Sequence, residues 1–166
     1  MDKIMRRSKQ LLSNEECIEI LKRGTSGVLA IEVENGYPYA VPISYVYDDN
    51  KIYFHGAGEG KKIEALKKNN MVSFCVIDKD QIVPEKFTTF FKSVIVYGKV
   101  NIVNNQSTKL NAIRTLATKY SPKETIESRD KEINSSMNAL TILEMNIDYI
   151  TGKQAIELVN SNIKKA

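Results

Sequence analysis

Six stretches of strand character in this chain are joined mostly by hairpin-like turns instead of regular helical crossovers, and that pattern restricts the fold to an antiparallel sheet. They span residues 28–33, 37–47, 51–55, 71–78, 88–103 and 138–147. Each is rich in Val, Ile, Tyr or Phe and is bounded by Gly, Asn, Asp or Pro. An antiparallel sheet of this size avoids exposed edges by curling, so the expected class is α+β, mainly β: a barrel with helices packed on its outside. At 166 residues the chain has the length of one domain, long enough to bury a core without disulfide staples.

The connections carry their own signals. Ser13-Asn-Glu-Glu16 is a capping box opening a helix whose apolar stripe is Cys17, Ile20 and Leu21, with Gly24 expected in a left-handed closing conformation. Asn35-Gly36 predicts a two-residue hairpin turn, and Asp48-Asp-Asn50 the next turn. Neither Pro38 nor Pro42 can donate to a ladder, so the strand over 37–47 needs a free edge or a bulge, which leaves backbone available to a ligand. Gly98 predicts a bulge in the long strand over 88–103. From Ser107 the spacing of Leu110, Ile113, Leu116, Ala117 and Tyr120 predicts a helix, and Ser121-Pro122-Lys-Glu124 the start of another. Residues 1–10 are read as an N-terminal arm, with Met5-Arg6-Arg7 a basic end, and residues 160–166 as a tail expected to fray.

Charge excludes little but points away from nucleic acid. The 24 basic and 20 acidic residues are interspersed, and the one dense run, Lys61-Lys62 to Lys67-Lys68, has the spacing of a solvated helix face. Cys17 and Cys75 lie in a helical and a strand pattern, as small buried hydrophobes in a reducing compartment would. With no signal-peptide pattern and no long apolar window, a cytoplasmic protein without membrane contact is expected.

One segment carries chemistry: His55-Gly-Ala-Gly-Glu-Gly-Lys-Lys62, between a strand and a helix. Glycines let the backbone approach a ligand, and the following helix N-terminus offers free N–H groups to an anion. Two lysines at a helix start are unfavourable unless a phosphate supplies negative charge; the plain alternative is a solvated turn. The loop is no triphosphate loop, because His55 stands where its first glycine belongs and Lys62 where its hydroxyl belongs. Nor is it GxGxxG, being one residue short. His55 is the sole histidine, so no metal site is expected, and without a Gly-x-Ser-x-Gly elbow it reads as a hydrogen-bond donor or a satisfied strand-end residue.

Gly27-Val-Leu-Ala30, Gly36-Tyr-Pro-Tyr-Ala-Val-Pro-Ile-Ser-Tyr45, Ile52-Tyr-Phe-His-Gly-Ala57 and Gly60-Lys-Lys-Ile63 resemble, in order and spacing, the nitroimidazole-resistance branch of the pyridoxamine 5′-phosphate oxidase-like flavoproteins. Met5-Arg6-Arg7, Phe91-Lys-Ser-Val94, Tyr97-Gly-Lys99 and Ile150-Thr-Gly-Lys153 extend the resemblance over nearly the whole chain.

The resemblance implies a six-stranded split β-barrel that binds FMN, a homodimer, and flavin at the subunit interface. It implies that Val41, Pro42, Ile43, Ser44 and Tyr45 line the isoalloxazine ring, partly through backbone atoms. His55, Gly60, Lys61 and Lys62 would serve the phosphate and ribityl end, with Ser93 adding a hydroxyl; residues 74–76 and Lys153 are further candidates from the partner subunit. It also implies an oxidoreductase of small acceptors, nitroaromatic drugs among them, with NAD(P)H as a donor and His55 as the candidate catalytic residue. The ending Asn-Ile-Lys-Lys-Ala lacks the arginine-rich close of the true oxidases, so pyridoxamine phosphate is not the expected substrate. The rival expectations are a non-catalytic FMN carrier or redox sensor, and a barrel that takes another phosphate-bearing ligand by the same loop.

Overall fold

A computed structural model of the chain describes residues 6–137 and 139–163, with Asn35 and residues 160–163 described by their backbone alone. A helix α1 (Asn14–Arg23) leads into strands β1 (Ser26–Glu32), β2 (Pro38–Ser44), β3 (Val46–Asp48) and β4 (Lys51–Ala57). Helix α2 (Lys61–Lys68) precedes the long hairpin β5 (Met71–Val83) and β6 (Thr88–Ile102). Helices α3 (Gln106–Tyr120) and α4 (Ile126–Ser136) lie between β6 and β7 (Leu140–Gln154), and α5 (Ile156–Ile163) follows.

All pairings are antiparallel, in the order β2-β1-β5-β6-β7-β4-β3. The seven strands correspond to the six expected stretches because residues 37–47 break at Tyr45. Before that residue the strand pairs with β1, and after it with β4. β2 and β3 are therefore at opposite ends of the hydrogen-bonded order though one residue apart in the chain, which is what makes the barrel split. As the prolines require, β2 is an edge: Pro42 faces Val28 of β1, and no described strand pairs on its other side.

The barrel interior is filled from every wall, by Leu29 and Ile31, Phe54, Phe74, Val94 and Val96, Leu143 and Met145. Cys17, Ile20 and Leu21 of α1 and Ile63, Ala65 and Leu66 of α2 join the same core. A second, smaller cluster lies outside the barrel, where Ala112 and Leu116 of α3 pack on Val46 and Ile142. Cys17 is buried and Cys75 half-buried, both free thiols; burial pushes the Cys17 thiol up to about 11. Among the described residues no helix is long and apolar enough to cross a membrane.

The capping box is present: the Ser13 hydroxyl accepts from the Glu16 N–H at 3.2 Å, and the Glu16 carboxylate accepts from the Ser13 N–H at 3.0 Å. Gly98 sits at a register shift between β6 and β7, and a Cβ there would lie 2.1 Å from the Asn146 carbonyl oxygen. Five expectations need correction. β5 runs five residues beyond the expected end at Asp78, through what reads as a polar connection, because it pairs with β6 up to Val83 and Thr88. Asn35-Gly36 is not a two-residue turn but ends a 3-10 turn, Glu34–Gly36, inside a longer connection; the tight primed turn is Asp49-Asn50, both at positive φ. Gly24 is extended, φ −63° and ψ 140°, and its need for glycine is steric, since a Cβ would meet the Tyr45 hydroxyl at 2.5 Å. α4 begins after Thr125, whose hydroxyl caps Ser128, not at Pro122. β7 runs seven residues beyond the expected end at Ile147, and the backbone is helical through Ile163, into the stretch expected to fray; residues 164–166 and Met5 lie outside the described residues.

Candidate functional site

β4 ends in the glycine-rich loop. Phe54 points into the barrel, so alternation turns His55 outward, and Gly60, at φ 103°, begins α2 without any side chain to cap its first turn. Lys62 in that first turn folds back over the loop: a Cβ on Gly56 would sit 3.1 Å from its Nζ. Glycine at 56 leaves room for that approach, and a larger residue would push the ammonium aside. The ammonium is half-buried, has no carboxylate within 4 Å among the described residues, and burial holds its pKa below the ordinary lysine value. Desolvation first, and the Lys62 charge second, hold the His55 imidazole below its usual 6.5. A helix N-terminus, a half-buried unpaired cation and a neutral imidazole that can donate converge here, the requirements of a phosphate dianion.

Lys61 diverges from its neighbour. Its Nζ lies 4.9 Å from the Tyr39 ring centroid, on the flank of α2 that carries Glu64 and opens toward Tyr37. Lys62 is therefore the lysine directed at the loop.

Along residues 41–45, Val41, Ile43 and Tyr45 turn toward the core, while Pro42 and Ser44 face outward. Tyr45 is fully buried, its ring edge-on to Phe74 at 4.8 Å. Its backbone is not free either. The Tyr45 N–H donates to the Tyr120 hydroxyl at 2.8 Å, and that hydroxyl faces the Tyr45 and Thr25 carbonyls, to one of which it donates. Lys119, beside it, donates to the Gly24 carbonyl with its Nζ 4.3 Å from the centre of the Tyr45 ring. The end of α3 thus clamps the point where the strand changes partner, a role that helical spacing does not reveal at Tyr120. The nearest signal is the pair of polar residues, Lys119 and Tyr120, closing an otherwise amphipathic helix.

Ser44 and His55 open together onto a cleft of about 760 Å³ walled by α3 and α4. Ser93 is elsewhere. It pairs with Lys153, whereas His55 pairs with Ile142, so the two positions are separated by eleven residues of β7, roughly 35 Å of strand at about 3.3 Å per residue. Phe74 and Val76 are core residues, leaving Cys75 as the outward side chain of residues 74–76.

The family described as pyridoxamine 5′-phosphate oxidase matches residues 13–154. No curated protein matches. A proposed 5-nitroimidazole antibiotic resistance protein of Bacteroides thetaiotaomicron is 22% identical, with 87% of this chain and 86% of that one aligned at a TM-score of 0.75. A conserved hypothetical protein of Mycobacterium tuberculosis aligns over 90% and 89% at 18% identity and a TM-score of 0.78. An FAD-binding protein of Mesorhizobium loti is 25% identical over 87% of this chain and 95% of that one, with a TM-score of 0.62. With a match covering the capping box, the glycine-rich loop and all seven strands, the chain belongs to the pyridoxamine 5′-phosphate oxidase family.

Proposed function

We propose that the chain is an FMN-binding flavoprotein, working as a homodimer, that reduces small acceptors, nitroaromatic compounds among them. The observation that carries this reading is the half-buried Lys62 ammonium, with no carboxylate within 4 Å among the described residues, folded over Gly56 beside His55. A phosphate monoester supplies the missing charge. Pro42 and Ser44, outward on the free edge of β2, lie on the same side of the molecule as the cleft to which His55 opens, and they are the side chains of residues 41–45 available to a ring. Bound there, FMN supplies the redox chemistry; the chain orients it, shields it from water and places the His55 N–H near it.

Two features support the dimer. Ser93 and Lys153 stand eleven residues of β7 from the partner of His55, a separation that favours their serving the flavin of a second copy over the one beside His55 of their own chain. The β5–β6 hairpin also leaves Ile77, Ile82 and Phe87 exposed, apolar side chains that none of the described residues covers.

The reading is tested by loading the purified chain with FMN, reducing it anaerobically with NADPH or NADH, and adding a nitroimidazole. Bleaching of the flavin band and its return on addition are expected. FMN that binds but is neither bleached nor reoxidised would make the chain a carrier, and a chain that takes up no FMN would end the reading.

A further inference from the structure

The cleft that Ser44 and His55 share with α3 and α4 is larger than the anion site needs and differs from it chemically. Its volume, about 760 Å³, lies within the range of small-molecule sites. Its floor continues the outer cluster, with Ile113, Leu116 and Leu140. Around the mouth stand two carboxylates, Glu124 and Glu132, and two cations, Arg129 and Lys131, so the charges cancel. Two of them are engaged locally: Glu124 accepts from the Ser128 hydroxyl at 3.1 Å, and Arg129 donates to the Ser121 carbonyl at 3.2 Å. Lys62, which leaves the loop side positively charged, is absent from this lining.

Resting on the flavin reading above, we infer that this cleft is the acceptor compartment and that it selects uncharged aromatic molecules. His55 is the wall common to both ends: the phosphate of the flavin lies on its loop side, the acceptor on its α3–α4 side. An ion of either sign would give up its hydration to a rim whose two carboxylates and two cations offer it no net charge in return. A neutral ring gives up little hydration and gains the apolar floor.

The test uses the FMN-loaded protein and follows the flavin difference spectrum on titration with nitrobenzene and with 4-nitrobenzoate, two ligands that differ by one carboxylate. Nitrobenzene is expected to bind at least about tenfold more tightly. Glu124→Gln with Glu132→Gln leaves Arg129 and Lys131 unopposed, and should cut that preference to about threefold or less. Ser128→Trp, which fills the mouth, should weaken nitrobenzene at least about tenfold while FMN affinity is unchanged. If Ser128→Trp fails to fold, Ser135→Trp on the same wall carries the identical expectation. Equal affinity for the two ligands, no response to the tryptophan, or a parallel loss of FMN would each overturn the inference, the last because the cleft would then hold the flavin itself. A wild-type chain that never takes up FMN is a different result, and overturns the flavin reading beneath.

Discussion

At the scale of single residues, Lys62 and Lys61 part company. Charge-assisted hydrogen bonds to phosphate are worth about 1.5–3 kcal/mol each, so Lys62→Ala should lower FMN affinity by about that much, and Lys61→Ala, with its ammonium on Tyr39, by less than about 1 kcal/mol. Isothermal titration of both variants checks the ranking. His55 adds a pH dependence. Its folded pKa lies below the 6.5 of an exposed imidazole, so the unfolded chain takes up the proton first. Stability of the FMN-free protein should therefore fall as pH drops from about 6.5 toward the depressed folded value. His55→Asn should remove that component, measured as the difference between the two melting-temperature profiles. Tyr45 is a contrasting case. Its buried hydroxyl finds no protein partner among the described residues, so Tyr45→Phe should leave FMN affinity unchanged and stability equal or up to about 1 kcal/mol higher by denaturant titration. That His55 and the lysines flank an anion loop was legible from the strand-loop-helix order. Which lysine turns inward was not, because it depends on the approach of Lys62 to Gly56.

At the scale of elements, the strand break at Tyr45 controls how Ser44 and His55 meet. Tyr120→Phe removes the acceptor of the Tyr45 N–H and should cost about 1–3 kcal/mol of stability in urea unfolding, with a weakened flavin site as its second consequence. Tyr120→His or Gln, able to accept again, should recover part of it. Local signals succeeded where the deciding interactions are close in sequence, as at the Ser13 capping box and the β3–β4 turn. They failed at Asn35-Gly36, where the turn type depends on how β1 and β2 diverge, and at β7, whose second half gains its strand geometry from pairing with Lys92 to Tyr97 of β6. The clamp was invisible for the same reason, since it joins residues seventy-five positions apart.

For the whole molecule, the exposed β5–β6 tip, paired through Val83 and Thr88 but uncovered, is the telling feature. Phe87 is 98% exposed and also left-handed, at φ 50°, a conformation that costs a non-glycine residue about 1–2 kcal/mol. The N–H of Phe87 donates to the Pro84 carbonyl at 3.1 Å and closes the 3-10 turn, but its ring touches solvent alone among the described residues, and burial against a second copy would cover it. Ile82→Ser with Phe87→Ser should accordingly shift sedimentation velocity from dimer to monomer and lower FMN affinity in parallel, because Ser93 and Lys153 are withdrawn from the partner's site. The barrel could be read from strand count and turn spacing and its splitting from the family resemblance, but the break at Tyr45 that produces the split could not, because it arises only when one strand must serve both ends of the sheet.

The central claim is that the phosphate of FMN satisfies Lys62 and His55. Titrating the flavin-free protein in parallel with FMN and with riboflavin, which differ only in that phosphate, tests it most directly. FMN should bind at least about tenfold more tightly than riboflavin; equal affinity for the two, or binding of neither, would contradict it.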